Sequence, residues 1–375
     1  MRVKAKLTTA LLCAMLVAVS GCSGNDEKKA DKEKTSEETT AINEGDYSAL
    51  LPFKPSDAGQ KHTQMAQLYG DQSDTIAIGT GLMELSKQHF SPKSYAFRGG
   101  VYLDYDTLDS SQDGSGLLGR TSSSNSSGLN PPVGDSFPTD KGDVKITNND
   151  VLLYDIFEYD WYRSKELKGI SLALVLNDKL GSSEDPATVK EDKLKAYGEE
   201  TARKVVNYLR KSKPEIGDNT PIYVTLFNAS KADETLPGTF IEDAYFESKT
   251  SAKFSEIKEE WALFPTARAT KLDGTNATYF DRYKASFKEF LTQDVDIIGK
   301  GHFKNDELTS LNIDVTIHAK SSDEILAGIQ LLNERLSIFA SNNFKITVTV
   351  KADEIIVATI TRDKGTNDTV AQILI

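Results

Sequence analysis

Several stretches of this chain hold residue types at spacings that can do chemistry. In "LVAVSGC", residues 16–22, a lone thiol follows two small residues at the end of an apolar run. Its thiolate form would be a nucleophile able to take an alkyl or acyl group. In "YDIFEYDWYR", residues 154–163, Asp155, Glu158 and Asp160 stand beside Tyr159, Trp161 and Tyr162. Paired carboxylates can act as acid and base on a glycosidic bond, and rings can stack on a sugar face, so Tyr159, Trp161 and Tyr162 form a candidate ligand surface. The plainer reading of the same letters is an amphipathic helix with its acids outside and its rings inside.

Other motifs fail on their context. "GSGLLG" (114–119) fits G-x-G-x-x-G, but that mechanism needs a strand before it and a helix N-terminus after it, whereas "TLDSSQD" precedes it and "RTSSSNSS" follows. "SEIK" (255–258) has the S-x-x-K spacing without a K-T-G to complete a site, and its neighbours read as an exposed helix. His62, His89, His302 and His318 are scattered, with no H-x-x-x-H or H-E-x-x-H arrangement. We expect no metal centre, no cofactor and no catalytic residues. Catalysis on envelope material would require a constellation that the sequence does not display.

The elements that position these residues read as α+β. Apolar strand "GISLALVLN" (169–177) leads to amphipathic helix "LKAYGEETARKVVNYLRK" (194–211), then strands "PIYVTLFNA" (221–229) and "TFIEDAYFE" (239–247). The same order recurs in "LTSLNIDVTIHA" (308–319), the helix at 321–340, "FKITVTV" (344–350) and "EIIVATITR" (354–362). In the second helix Ile325, Ile329, Leu332, Leu336 and Phe339 recur at helical spacing, and Ser322, Asp323 and Glu324 supply capping and negative charge at its start. An internal strand-helix-strand-strand repeat on mainly antiparallel sheets with packed helices follows. Between the repeats, residues 276–295 read as a helix with Phe280, Tyr283, Phe287 and Phe290 on its core side.

A chain of 375 residues, 38% hydrophobic and 9% aromatic, can build a sizeable core. Its formal charge of −12 disfavours nucleic acid as a partner. The N-terminus carries Arg2, Lys4 and Lys6, then an apolar run from Leu7 to Val19, then Ser20-Gly21-Cys22: the order of an export signal, and too short a run to span a bilayer. Small residues immediately before a cysteine resemble the lipobox of bacterial lipoproteins, which implies diacylglycerol on Cys22 and cleavage between Gly21 and Cys22. Two acyl chains suffice for stable anchoring. With Cys13 in the signal and Cys22 acylated, the folded part has no thiol for a disulfide, redox pair or zinc site.

The expected organisation is a signal peptide (1–21), a charged, disordered tether (22–45), a first α+β domain (46–250) with a Ser/Gly-rich surface loop at 110–132, and a second (251–375). The tether would span roughly 25–30 Å as a flexible coil. Expected partners are the membrane, through the lipid on Cys22, and the lipoprotein-processing machinery. The expected location is the extracytoplasmic face of the cell membrane.

Several short motifs occur together in order: "LLPFKPSDAG" (50–59), "GLNPP" (128–132), "LLYDIFEYDWY" (152–162), "LPGTFIEDAYF" (236–246), "WALFPTARAT" (261–270) and "FKEFLTQDVDIIGKGHF" (287–303). From about residue 46 onward the chain resembles the CamS family, surface lipoproteins of Gram-positive bacteria known as sex pheromone precursors. The resemblance implies that a short apolar peptide is cut from the signal just ahead of the lipidated cysteine. Here that peptide is Ala14, Met15, Leu16, Val17, Ala18, Val19, Ser20 and Gly21. No catalytic residues come with the resemblance, so the body is expected to be non-catalytic. The alternative is a binding module with a peptide, glycan or lipid between its two repeats. If Cys22 is the anchor, Cys22→Ala will lose acyl label in metabolic labelling and leave the membrane fraction.

Overall fold

The computed structural model describes residues 37–69, 72–109, 116–291, 295–318 and 320–374. The signal segment, Cys22, the stretch Ala14–Gly21, residues 22–36 of the expected tether and residues 110–115 of the Ser/Gly-rich loop lie outside the described residues. In chain order come β1 (Ser48–Ala49), α1 (Ala58–Tyr69), α2 (Gln72–Ser86), β2 (Ala96–Gly99) and the one-turn α3 (Tyr105–Leu108). A small hairpin, β3 (Ser136–Thr139) and β4 (Gly142–Lys145), precedes the long pair β5 (Leu153–Arg163) and β6 (Glu166–Leu176). The short β7 (Lys179–Leu180) and β8 (Ala187–Thr188) lead to α4 (Glu191–Ser212), β9 (Ile222–Asn228), β10 (Thr239–Phe246) and β11 (Phe254–Glu256). Next come β12 (Glu259–Phe264), α5 (Ala267–Leu272), α6 (Gly274–Phe290), β13 (Val295–Lys304) and β14 (Glu307–Ile317). The last elements are α7 (Ser322–Arg335), β15 (Lys345–Ala352), β16 (Ile355–Arg362) and β17 (Val370–Ile373).

Two sheets result. The first runs β1-β2-β5-β6-β9-β10-β11 and the second β12-β13-β14-β15-β16-β17. In each, a parallel neighbour pair is bridged by a single helix, β6 beside β9 through α4 and β14 beside β15 through α7; the first sheet has a second parallel pair, β1 beside β2, with α1 and α2 between them. The following strands, β10 and β16, pair antiparallel. The repeat also extends one strand earlier than its sequence signature. β5 turns into β6 at Ser164-Lys165, and β13 into β14 at Asn305-Asp306. Both central residues of each turn have positive φ, the backbone that suits a tight hairpin.

The burial of the two sheets explains why their sequences look different. Along β6, Ile170, Leu172, Leu174 and Leu176 join the core beneath α4, while Ala173 and Val175 join another beneath α2. A strand covered on both faces must be apolar throughout, hence the unbroken "ISLALVL". In β15, Ile346, Val348 and Val350 are buried under the α6 and α7 side, whereas Thr347 and Thr349 are half-buried on the other face, giving the alternation in "KITVTV".

Several expectations change. Residues 154–163 form a strand, not a helix, because β5 pairs with both β2 and β6 and buries both faces. Ser255 of the S-x-x-K spacing also lies on a strand, β11; that strand pairs with β10, so the first sheet reaches past residue 250. Residues 37–39 fold back on 49–51 through Thr39 N–H to Ala49 O at 2.9 Å and a bridge between Glu38 and Leu50, so the expected tether is shorter at this end. The part of the Ser/Gly-rich loop from 116 onward is irregular but is no surface loop, since Leu117, Leu118 and Leu129 are buried in the core. Buried Asn130 pins it by donating to Leu118 O and Leu153 O and accepting from Leu152 and Leu153 N–H. Of the aromatic stripe on α6, Phe280, Tyr283 and Phe287 are buried but Phe290 is exposed.

Gly299 on β13 makes room for these rings: a Cβ there would lie 2.7 Å from Phe280 Cε2 and 3.1 Å from Phe264 Cβ. Gly299→Val should therefore overpack this core and lower stability by about 1–3 kcal/mol in urea melts.

Candidate functional site

Because β5 is covered on both faces, its chemistry-bearing residues divide by parity. Phe157 and Trp161 belong to the core beneath α2, while Ile156 belongs to the core beneath α4. Trp161 is 0% exposed, Tyr162 6%, and Tyr159 is half-buried, so these rings do not present the solvent-facing ligand surface expected of them. Trp161 stacks within 5.6 Å of Phe90 and donates its indole N–H to Ser171 Oγ at 2.7 Å.

Glu158 and Asp160, two residues apart, are buried together. Glu158 accepts from Leu103 N–H at 2.8 Å, and Asp160 accepts from Val101 N–H at 3.2 Å. Desolvation raises the pKa of both, and the neighbouring Glu158 carboxylate raises that of Asp160 further. One proton is thus retained between them in the manner of a shared carboxylate pair. Gly100 packs directly on Glu158, since a Cβ there would lie 2.5 Å from the Glu158 Cβ. The arrangement clamps residues 100–103 to the sheet and offers no access for a sugar.

The third carboxylate, Asp155, has a different partner. His62 on α1 places Nδ1 2.8 Å from Asp155 Oδ2, and Asp155 Oδ1 accepts from Ile156 N–H at 2.8 Å. The His62 ring stacks on Phe157 with centroids 4.1 Å apart and planes 8° from parallel. With a carboxylate on Nδ1, the neutral imidazole carries its proton there and leaves Nε2 as an acceptor. His62, Asp155, Met65, Ala66, Ile78, Phe157, Val175 and Phe227 line a small cavity of about 40 Å³. It lies near the carboxyl ends of β6 and β9, the end of a parallel pair where ligands most often bind in open sheets. Lys231 and Asp74, also at this end, pair at 2.9 Å.

A larger groove of about 770 Å³ lies where the first sheet meets the turn between β13 and β14. Glu84, Gln88 and His89 come from α2 and the residues after it, Asp243 and Tyr245 from β10, Ser255 and Glu256 from β11, and Lys304 and Asn305 from the end of β13 and the turn that follows it. His89 stacks on Tyr245 with centroids 4.1 Å apart. Burial lowers the His89 pKa against the opposing pull of Asp243. A neutral ring pair flanked by both charge signs suits a polar, uncharged or zwitterionic ligand.

Sequence motifs located Asp155 but not its partner, since His62 is remote in the chain and no local spacing links the two. The groove residues come from four separate elements; His89 and the 255–258 segment stood out in the sequence, but nothing there linked them to each other. The other histidines make separate pairs: His302 Nε2 lies 2.6 Å from Glu259 Oε1, and His318 Nδ1 lies 2.8 Å from Asp353 Oδ1. Among the described residues no group of three or more His, Cys, Asp or Glu is placed to hold a metal ion.

Comparison with known proteins gives a consistent result. The family model described as CamS sex pheromone cAM373 precursor matches residues 53–368. The crystal structure of a sex pheromone precursor from Lactobacillus salivarius subsp. salivarius UCC118 is similar, with a TM-score of 0.78 and 23% identity, over 90% of this chain and 98% of that one. The C-terminal domain of the sex pheromone staph-cAM373 precursor from Staphylococcus aureus gives a TM-score of 0.65 and 21% identity, over 81% of this chain and 97% of that one. These likenesses confirm the α+β fold. No curated protein matches the chain.

The buried acid pair makes stability depend on pH. The pair keeps a proton in the folded state that an unfolded chain releases above the ordinary carboxylate range. Their contribution is therefore complete at acid pH and is lost as pH rises through the raised values. Urea midpoints measured from about pH 4 to about pH 8 should show this decline in the native protein. Asp160→Asn, which keeps a donor toward Glu158 without the shared proton, should flatten it.

Proposed function

The chain belongs to the CamS family of sex pheromone precursors, and from that membership we propose that its signal segment yields a peptide while its body stays at the cell surface. In this reading the export machinery acylates Cys22, cleaves after Gly21 and leaves the body tethered outside the membrane. A membrane protease then trims the released signal to the peptide Ala14–Gly21. What carries the reading is the combination of a family match over the body with a cysteine at the one position where lipidation needs it. Among the described residues no helix is long and apolar enough to cross a membrane; in this reading the anchor is the lipid on Cys22.

The body, in the same proposal, binds and does not catalyse. Its paired acids Glu158 and Asp160 are buried, and its His62–Asp155 pair has no adjacent serine or cysteine nucleophile among the residues lining the cavity. The observation that favours binding is the 770 Å³ groove with its His89–Tyr245 stack, located between the two repeat halves where a binding module would need it.

A mating-response assay on culture supernatants tests the precursor role. Two strains are compared, one with the native protein and one with residues 1–21 replaced by another lipoprotein signal. The expected result is loss of the response while the anchored body persists. A response retained in the exchanged strain would refute the assignment of the peptide to residues 14–21.

A further inference from the structure

We infer that the His62 cavity is a binding site for one aliphatic residue of a short peptide with uncharged side chains, of which this chain's own Ala14–Gly21 is an example. The inference goes beyond the precursor reading and rests on it only in the choice of peptide. Three observations carry it.

Size comes first. A cavity holds one water for roughly each 10–15 Å³ of such volume, so about 40 Å³ accommodates only a few heavy atoms, the scale of a valine side chain. A sugar ring or a long acyl chain does not fit. The stretch Ala14–Gly21 offers Leu16, Val17 and Val19 within eight residues, none of them charged.

Lining is the second. Met65, Ile78, Phe157, Val175 and Phe227 give apolar walls. The two carboxylates at the site are each already paired, Asp155 with His62 at 2.8 Å and Asp74 with Lys231 at 2.9 Å. A charged side chain would have to break one of these partly buried pairs, whereas an aliphatic one leaves both intact. The ends of α1 and α2 that supply Ala66 and Thr75 also carry Leu68 and Ile76, each 68% exposed, so the neighbouring surface is apolar as well.

The third observation is a ring nitrogen left over for a ligand. Asp155 and the Phe157 stack fix the His62 ring, and its Nε2 has no hydrogen-bond partner among the described residues. A peptide N–H donated to Nε2 would complete the imidazole and orient the bound segment, while the side chain beside that amide enters the cavity. An aliphatic side chain flanked by a backbone donor is what any apolar peptide supplies.

The test is calorimetric titration of synthetic Ala-Met-Leu-Val-Ala-Val-Ser-Gly into residues 37–375, the compact unit that holds both cores. Saturable binding is expected. Ala66→Phe, which fills the cavity from the helix side, should weaken it at least about tenfold with an unchanged thermal transition. A peptide with aspartate at the positions of Val17 and Val19 should lose binding to the native protein by a similar factor, a result that does not depend on any protein variant folding. No binding of the native peptide would overturn the inference, as would equal binding of the aspartate peptide. Because the titration uses synthetic peptide, its failure leaves the mating-response result untouched, and failure of the mating response leaves the titration untouched.

Discussion

Trp161 near the C-terminal end of β5 donates its indole N–H to Ser171 on β6 at 2.7 Å, and Ser86 at the end of α2 lies 2.8 Å from the same Ser171 hydroxyl. All three side chains are fully buried. A buried polar atom left without its partner costs about 1–3 kcal/mol, so this chain of contacts fixes the register of β5 against β6 and seats α2 on the sheet in one arrangement. Both candidate sites depend on that seating: α2 supplies Thr75 and Ile78 to the small cavity, and Glu84 to the groove, with Gln88 and His89 immediately after it.

The two repeat halves solve the same topological problem with different burial. In each, a tight hairpin leads to a strand whose parallel neighbour is reached through a helix. The first half adds α2 on the face opposite α4, which turns a one-sided sheet into a two-sided one, while α1 sends Ala58 and Met65 into the α4-side core and stacks His62 on Phe157. That extra layer is where β5 meets His62. The second half shows a face of Thr347, Thr349, Thr359 and Thr361 instead, half-buried and without a helix of its own. Repetition of a supersecondary unit thus left one copy free to acquire a layer and, with it, a cavity.

The acids of β5 show how placement decides chemistry. Asp155, Glu158 and Asp160 are near neighbours in the chain, yet they enter two environments. Glu158 and Asp160 are desolvated side by side and hold a proton between them, which ties residues 100–103 to the sheet. Asp155 meets an imidazole beside a cavity and orients it. Only the latter arrangement leaves a polar atom available to a ligand.

Much of the fold was legible in the chain because it is encoded locally. The period of "SSDEILAGIQLLNERLSIFA" fixed the buried set Ile329, Leu332, Leu336 and Phe339, and the order of strands and helix announced the repeat. The apolar run ending at Cys22, read against its flanking charges, likewise needs no tertiary information. What the chain did not disclose was the state of "YDIFEYDWYR". Its aromatic and acidic residues fit a helix face or a doubly buried strand equally well, and only pairing to β2 and β6 chooses the strand. The same holds for the sites. His62 and Asp155 are 93 residues apart, and the groove draws on elements from α2 to the turn after β13. Side-chain period records which face of an element is buried, but not which other element covers it. That is settled only when the layers pack, and it is there that the cavity, the paired imidazole and the groove come into being.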